Sequence, residues 1–325
     1  MKMQYGTIPG LEKPVSRLAH GAMMLRDDDL DWTFAHLDMI YELGCNTFDT
    51  AHVYGNADSL LGKWIRARGL QDKVVILAKC SHPNAVRRRV TPFDIASDLH
   101  DTLARMQLDS VDLLLLHRDD PSVPVGPIVE AFNEHVEAGR IRAFGGSNWT
   151  HQRIAEANAY AEAHGLAPFA ASSPNFSLAE MVESPWGDDC IAISGPREAE
   201  ARAWYAEQGM ALLPWSSLAR GFFTGKITRE NYREALRPED RSSIHTYCHE
   251  VNFRRLDRAE IMAKERGLAV AQIALAFVLN HAPRLNLFPL VGTRSREEFE
   301  QCVGTLDVKL TPEEMAWLDL QRDEQ

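Results

Sequence analysis

The sequence predicts a (β/α)8 barrel, a closed parallel sheet surrounded by helices. Apolar runs of strand length alternate with stretches of helix length about eight times along the 325 residues, and such alternation predicts a parallel sheet. A chain of this length can form one undivided α/β barrel. The competing fold, an open doubly wound sheet, normally carries Gly-x-Gly-x-x-Gly after its first strand, and this motif is absent here. We therefore expect residues 1–325 to form a single barrel domain.

The elements follow one another in a regular order. Residues 1–15 are punctuated by Gly and Pro and predict a small hairpin that closes one end of the barrel. Strands are predicted at 17–24, 46–49, 74–79, 113–116, 141–146, 169–172, 210–214 and 286–291. Helices are predicted at 31–43, 57–68, 91–106, 127–138, 151–164, 196–208, 253–266 and 270–281. Ser295 and Thr311 each precede a glutamate by three residues, a capping-box pattern that opens two further helices. The segments 177–195 and 224–251 lack a regular pattern and are expected to be irregular.

Composition narrows the range of partners and locations. A formal net charge of -11 argues against a nucleic-acid partner, whose phosphates favour a basic surface. The five cysteines are scattered and include no Cys-x-x-Cys pair, which favours a reducing compartment. The N-terminus lacks the apolar core of a signal peptide, and the longest apolar stretch, 268–279, is too short to span a bilayer. We expect a cytoplasmic protein without a membrane partner; the oligomeric state is not indicated.

Polar side chains collect where three predicted strands end. Asp49 ends one strand and Tyr54 follows across a turn, while Lys79 and His117 end the next two strands. Active sites of such barrels lie at the carboxyl ends of the strands. Asp49 would pair with Lys79, the ammonium would lower the cost of removing the phenol proton, and His117 would orient a substrate oxygen. This set could protonate a carbonyl oxygen if a nicotinamide supplied the hydride.

These four residues, in this order and at these strand positions, resemble the catalytic tetrad of the aldo-keto reductase superfamily. The similarity extends from about residue 16 to the last helix and is greatest to the bacterial branch that includes the potassium-channel beta subunits. It implies reversible, NAD(P)H-dependent reduction of an aldehyde, ketone or sugar carbonyl, with Tyr54 as general acid and base. The implied substrate contacts are Met24, Tyr54, His117 and Trp186.

The resemblance also implies a cofactor site built from several strand ends. Gly-Gly-Ser147-Asn148 is similar to the segment that holds the nicotinamide carboxamide, and the loop that begins at Trp215 is similar to the one that stacks on the ring and binds pyrophosphate. The implied cofactor-binding residues are Gly21, Met23, Asp49, Ser147, Asn148, Ser173, Trp215, Ser216, Leu218, Arg220, Gly221, Gly292, Thr293, Arg294, Glu298, Gln301 and Cys302. No metal is expected.

Three positions depart from the family pattern. Ser173 stands where the family usually has Gln, and Gln301-Cys302 stand where it offers Glu-Asn. Glu298 replaces an Arg that often holds the 2′-phosphate, and it could either repel that phosphate or cap its own helix. Because Arg294 and the neighbouring Arg296 remain, we expect NADP(H) rather than NAD(H).

Other interpretations of these residues stay open. Asp49 and Lys79 could form a purely structural ion pair, and His117 could be a core histidine followed by a solvated rim, Arg118-Asp-Asp. Ser147 and Asn148 could cap the next helix. Trp215 could be core packing, Trp186 a buried loop anchor, His245-x-x-Cys248-His249 a metal site and 87–89 a solvated turn.

Two rival functions are also open. One is a cofactor-sensing regulatory subunit, as the channel beta subunits show for this scaffold; the other is a lyase or isomerase without a cofactor. Turnover on a panel of carbonyl compounds, together with nucleotide binding, distinguishes these functions.

Overall fold

A barrel of parallel strands forms the centre of the protein. The computed structural model describes residues 2–187, 189–235, 242–282 and 284–324. Two short strands, β1 (Tyr5–Gly6) and β2 (Val15–Ser16), form an antiparallel hairpin. The nine parallel segments are β3 (Ala19–Gly21), β4 (Thr47–Asp49), β5 (Val75–Cys80), β6 (Val111–Leu116), β7 (Ile141–Ser147), β8 (Ala171–Ser173), β9 (Ala211–Leu212), β10 (Asn286–Leu287) and β11 (Leu290–Val291).

The eighth barrel strand is made of two segments. Strand β10 pairs with β9, and β11 pairs with β3, on the other side. Between them, the Phe288 N–H donates to Leu212 O at 2.8 Å and the Ala19 N–H donates to Pro289 O at 3.0 Å. The two segments therefore join the last strand to both neighbours and close the (β/α)8 barrel, which confirms the predicted fold class.

Helices follow the strands in alternation. They are α1 (Leu30–Glu42), α2 (Ala57–Arg68), α3 (Pro92–Met106), α4 (Val125–Glu137), α5 (His151–His164), α6 (Ala199–Gln208), α7 (Tyr232–Ala235), α8 (Ser242–Tyr247), α9 (Glu250–Arg266), α10 (Val270–Leu279), α11 (Arg296–Thr305) and α12 (Pro312–Leu318). Within the described part of the chain, no helix is long and apolar enough to cross a membrane.

The hairpin closes one end of the barrel, as predicted. Ile8 and Val15 are almost fully buried and belong to the same apolar cluster as Leu77 and Leu113 of the strands. Burying a side chain such as Ile8 contributes about 2–3 kcal/mol. A larger, separate cluster fills the space between the strands and the helices.

Most predicted boundaries agree with the structure within a few residues, and the differences are local. Helix α9 begins at Glu250 instead of residue 253, and a 3-10 turn, Pro196–Glu198, precedes α6. The segment 224–251, predicted as irregular, contains α7 and α8, while residues 236–241 lie outside the described ranges.

The two predicted capping boxes differ. At α12, Thr311 and Glu314 bond reciprocally. At α11, Ser295 caps the Glu298 N–H, but the Glu298 carboxylate accepts from the Arg294 N–H at 2.7 Å, one residue earlier than a capping box requires.

Candidate functional site

Asp49 and Lys79 form a buried ion pair at the carboxyl ends of β4 and β5. The Lys79 ammonium contacts Asp49 Oδ1 directly and donates to Thr50 O at 3.3 Å, and the two side chains are only 3% and 6% exposed. Burial by itself would lower the pKa of Lys79, but Asp49 and Tyr54 raise it above its ordinary value. Burial raises the pKa of Asp49, against the opposing effect of Lys79. The ammonium therefore stays charged at neutral pH.

Tyr54 lies on the turn that follows β4, over the same ammonium. Lys79 Nζ is 5.3 Å from the centre of the phenol ring. Burial raises the pKa of Tyr54, with Lys79 acting to lower it and Asp49 adding to the rise. Lys79 thus acts in the direction that the sequence predicted, but the net effect is the opposite, because the cost of burying a phenolate is larger.

His117 completes the group of four predicted catalytic residues. Its ring lies edge-on to Tyr54, with centroids 5.9 Å apart. Burial, followed by the charges of Lys79 and Arg118, holds the pKa of His117 well below its usual value. The imidazole is therefore neutral at pH 7 and has a single N–H to donate. Its Nδ1 is buried and has no hydrogen-bond partner among the described residues.

Three further residues at this rim were not predicted to be functional. His82 lies 4.8 Å from His117 between ring centroids, and its Nδ1 bonds with Pro83 O at 2.8 Å. Arg118 and Asp119, considered above as a solvated rim, are instead buried, at 5% and 8% exposure. The available signal was position, since His82 follows Lys79 by three residues and Arg118 follows His117 directly.

Asn148 connects three segments of the rim. Its amide donates to His117 O at 3.3 Å and to Ser147 Oγ at 3.2 Å, and its Oδ1 accepts from Trp215 Nε1 and from the Ile191 N–H, both at 3.2 Å. These four contacts use the full hydrogen-bonding capacity of an amide. Asn148 adopts a left-handed backbone conformation, with φ of 57°. The next helix is capped by Thr150, so the capping role considered for Ser147 and Asn148 is wrong.

Close packing of β7 against the neighbouring strand requires glycine at position 145, just before Ser147 and Asn148. A Cβ on Gly145 would lie 1.9 Å from the Ala171 carbonyl oxygen of the neighbouring strand. At the next strand, Ser173 is fully buried and donates to Leu213 O at 2.6 Å, while Ser147 donates to Ser173 O at 3.1 Å. The Ser173 hydroxyl proton is therefore used within the barrel wall.

The loop after β9 has an unusual backbone. Ser216, Ala219 and Arg220 have φ values of 53°, 48° and 53°, and Gly221 follows with 88°. Leu218, the remaining predicted residue of this loop, precedes the 3-10 turn Ala219–Gly221. Three consecutive residues with left-handed φ turn the backbone sharply at this rim, where sparsely populated conformations often accompany function.

Two aromatic rings and a guanidinium meet over this loop. The rings of Trp215 and Trp186 are 5.3 Å apart, and Arg220 Cζ lies 5.2 Å from the centre of Trp186. Arg220 Nε is buried without a hydrogen-bond partner within the described ranges. Trp186 is 47% exposed, so it is not the buried loop anchor considered as an alternative.

The first and last barrel strands bring the other predicted cofactor residues together. Met23 is exposed, and a Cβ on Gly292 would lie 3.2 Å from the sulfur of Met24. A Cβ on Gly21 would be 3.8 Å from Val291 O. Thr293 is buried, with Oγ1 at 3.4 Å from Nε2 of His20.

At the end of this segment, the charged residues differ in their partners. Arg294 is exposed, and its guanidinium bonds to no side chain in the part of the chain that the structure describes. Arg296 pairs with Glu42 at 2.9 Å and with Glu300 at 3.7 Å. Cys302 is buried, which raises its pKa to about 12, and Gln301 offers its carbonyl to Gln272. The Glu298 carboxylate faces the start of its own helix, where it accepts from the Arg294 N–H and not from the Ser295 N–H that a capping box requires.

The residues His245, Cys248 and His249, considered above as a metal site, are not arranged to bind a metal ion. His249 Nε2 contacts the backbone oxygen of His245. Across residues 2–187, 189–235, 242–282 and 284–324, no group of three or more His, Cys, Asp or Glu side chains could hold a metal ion.

Comparisons with known proteins agree on one family. A model of the Aldo/keto reductase family matches residues 17–321. The Saccharomyces cerevisiae protein named "Probable aryl-alcohol dehydrogenase AAD4" is 28% identical over 302 residues, covering 88% of this chain and 86% of that protein. Norsolorinic acid reductase stcV of Emericella nidulans is 28% identical, with coverage of 87% and 70%, and the uncharacterized oxidoreductase YrpG of Bacillus subtilis is 28% identical, with coverage of 98% and 95%. A solved structure of the thermostable aldo-keto reductase Tm1743, in complex with epalrestat, has the same fold, with a TM-score of 0.71 at 21% identity, covering 98% of this chain and 99% of that one.

The fold and these relatives define a barrel oxidoreductase. The relatives are named as a dehydrogenase, a reductase and an oxidoreductase, and the family match covers almost the whole chain. The chain belongs to the aldo/keto reductase family.

Proposed function

We propose that the protein catalyses the reversible, NAD(P)H-dependent reduction of an aldehyde or ketone to the alcohol. The observation that carries this proposal is the convergence of the Asp49–Lys79 ion pair, the Tyr54 phenol and a neutral His117 at one rim. Such a set is suited to giving a proton to an oxygen on which negative charge develops.

Each of the four side chains has its own role. When bound, the nicotinamide cofactor supplies the hydride that the carbonyl carbon receives. Tyr54 gives its phenolic proton to the carbonyl oxygen, and the charge of Lys79 stabilises the phenolate that remains. Asp49 keeps Lys79 charged and in place, and the neutral His117 donates its N–H to the substrate oxygen. In the direction of alcohol oxidation, the phenolate takes the proton back.

The residues of the rim fit a dinucleotide. The buried Nε of Arg220, which has no hydrogen-bond partner among the described residues, and the left-handed turn around it favour an anion such as pyrophosphate. Trp215 offers an indole that Asn148 holds by its N–H, as a ring that stacks on a nicotinamide requires. Since Asn148 is saturated, a carboxamide would replace one of its present contacts, and Ser147 shares that role. Gly21, Gly292 and Met23 would line the cofactor channel.

The preference for NADP(H) rests on Arg294. Its guanidinium is exposed and bonds to no described side chain, whereas Arg296 is engaged by two glutamates. We propose that Arg294 binds the 2′-phosphate, with Glu298 turned to the backbone at the start of its helix. The five cysteines are all free and buried, which supports the proposed cytoplasmic location.

For the substrate, we propose an aldehyde or ketone with an apolar or aromatic body. Trp186, which packs against Trp215, and Val53, which directly precedes Tyr54, are large apolar side chains that remain exposed. The yeast relative is named as an aryl-alcohol dehydrogenase, which agrees with such a substrate.

The test compares the wild-type protein with Tyr54→Phe on a panel of aromatic and aliphatic aldehydes. We expect NADPH oxidation by the wild type and a fall in kcat of about 100-fold or more in the variant, the usual size of a general-acid contribution. Cofactor binding, followed by quenching of tryptophan fluorescence, should be nearly unchanged. Retained turnover in Tyr54→Phe would remove Tyr54 from the role of acid. Tight cofactor binding without turnover on any substrate would favour the regulatory subunit, and absence of nucleotide binding would favour a lyase or isomerase.

A further inference from the structure

Arg118 is a buried cation whose hydrogen-bonding capacity is largely unused. It is 5% exposed, and Nη1 donates to His117 O at 2.9 Å. A guanidinium has five N–H donors, and no other hydrogen bond of Arg118 to a described residue is present. Arg255, which is at least as deeply buried, bonds with Asp319, Glu180 and the Val251 carbonyl. Buried polar groups are normally paired, so Arg118 has capacity for a ligand.

The carboxylates near Arg118 neutralise it only in part. Asp189 Oδ1 lies 3.7 Å from Arg118 Nε, beyond hydrogen-bond distance, and Asp189 Oδ2 lies 3.7 Å from Arg88 Nη1. One carboxylate is thus shared by two guanidiniums. Asp119, the next carboxylate along the chain, is bound by Arg153 at 3.2 Å. Of the carboxylates in the described part of the chain, Asp189 is therefore the one with which an incoming anion would compete.

Arg118 also borders the proposed reaction site. It follows His117 directly, its charge disfavours the protonated forms of His117 and His82, and its Cζ is 5.9 Å from the centre of the Trp186 ring. The Trp186 ring, which is 47% exposed, offers an apolar surface directly beside this guanidinium. A substrate suited to these surroundings has an apolar body and one negative charge.

We infer that Arg118 is a specificity-determining residue that binds a carboxylate substituent of the carbonyl substrate, and that Asp189 occupies part of this subsite until the substrate displaces it. This inference rests on the proposed reductase function and names its substrate class, an aldehyde or ketone that carries a carboxylate. A planar guanidinium binds a carboxylate through two parallel hydrogen bonds, which adds orientation to affinity.

The test uses two substrates of nearly equal shape, 4-carboxybenzaldehyde and its neutral methyl ester, methyl 4-formylbenzoate. We expect the wild type to have the higher kcat/KM for the carboxylate. Arg118→Met should lower the ratio of the two kcat/KM values about 10-fold or more, since a charge-assisted hydrogen bond to a buried partner is lost. Arg118→Lys retains the charge but loses the two parallel N–H donors of the guanidinium, so its ratio of kcat/KM values should lie between those of the wild type and Arg118→Met.

Asp189→Asn provides the second variant, with an effect of opposite sign. Removing the competing carboxylate should raise the ratio several-fold, mainly through a lower KM for the anionic substrate. A structural ion pair predicts instead that the Arg118 and Asp189 variants weaken the enzyme in the same direction. The Asp189 variant also keeps the inference testable if Arg118→Met does not fold.

The outcomes separate the inference from the function on which it rests. Equal losses on both substrates in Arg118→Met, or equal wild-type kcat/KM for acid and ester, would overturn the inference and leave a working reductase whose Arg118 only holds the His117 carbonyl. If the wild type reduces neither compound nor any other aldehyde of the panel, the proposed function fails, and the inference fails with it.

Discussion

Two ion pairs of this protein are equally buried but have different surroundings. Lys79 and Asp49 are 3% and 6% exposed at the carboxyl ends of the strands, and Arg255 and Asp319 are 1% and 3% exposed between α9 and the end of α12. Arg255 also binds Glu180, so its charge is surrounded by carboxylates and a carbonyl oxygen. Lys79 instead shares its ammonium between Asp49 and the Tyr54 phenol.

The difference shows that burial of an ion pair does not by itself indicate catalysis. A buried pair is costly to break wherever it occurs. What distinguishes Lys79 is a neighbour that can exchange a proton, Tyr54, and a neutral imidazole next to it, His117. The predictions below test whether the two pairs are as distinct in solution as they are in structure.

The largest effects should come from Lys79→Met and Arg255→Met. Lys79→Met should lower kcat by at least about 100-fold, because the Tyr54 phenolate loses its stabilising charge. Arg255→Met should lower the free energy of unfolding by about 3–5 kcal/mol, because Asp319 stays buried without its partner, while kcat per folded molecule changes less than about two-fold. Urea unfolding and NADPH oxidation measure the two quantities. If Arg255→Met folds but is as inactive as Lys79→Met, the two ion pairs do not differ in the way that we propose.

A smaller effect is expected on the pH dependence of stability, through His281, which is close enough to the Arg255–Asp319 ion pair to be influenced by its carboxylate. Burial, the largest cause, lowers the pKa of His281 to about 4, and the charge of Asp319 opposes this shift. The unfolded value is about 6.5, so the unfolded chain binds more protons between the two values, and stability falls as pH falls below about 6.5. From pH 8 to pH 5, His281 should account for a loss of about 2 kcal/mol.

His281→Gln should therefore reduce the acid sensitivity of the unfolding free energy by about this amount, measured by urea unfolding at both pH values. Replacement of the exposed His164 by Gln is the matched control for the loss of an imidazole at the surface. An unchanged pH dependence in His281→Gln would show that other groups govern the loss.

The smallest effect compares two arginines of the proposed cofactor site. Arg294→Ala should weaken NADPH binding about 10-fold and leave NADH binding unchanged, because only NADPH carries the 2′-phosphate. Arg296→Ala, whose guanidinium is engaged by Glu42 and Glu300, should change neither affinity by more than about two-fold. Quenching of tryptophan fluorescence measures both. Wild-type binding of NADH that equals or exceeds that of NADPH would mean that Glu298 faces the ribose instead.

The sequence was sufficient to predict which candidate residues lie together when each of them stands at the end of a strand. Asp49, Lys79 and His117 could be placed together because each ends an apolar run, and parallel strands bring such ends to one rim. The contact between Lys79 and Asp49 and the proximity of Tyr54 then follow from the barrel.

The remaining features depend on contacts between segments distant in the chain. Asn148 joins Trp215 and Ile191, and the burial of Arg118 depends on its surroundings in the folded rim. No local pattern records such contacts. The orientation of Glu298 was left open for a different reason, because a carboxylate three residues after a serine is compatible with both a cap and an exposed position.

The division of the eighth strand has a consequence for synthesis on the ribosome. Strands β3 and β9 each keep one unpaired edge until β10 and β11 have been made, since these late segments pair with both. Unpaired edges readily bind other strands, and contacts between distant parts of a chain form slowly. A polypeptide that stops before Asn286 would therefore remain an open sheet with two exposed edges. Such a truncated product is expected to aggregate or to occupy chaperones. By contrast, a chain that lacked only surface helices would fold into a closed but less stable barrel.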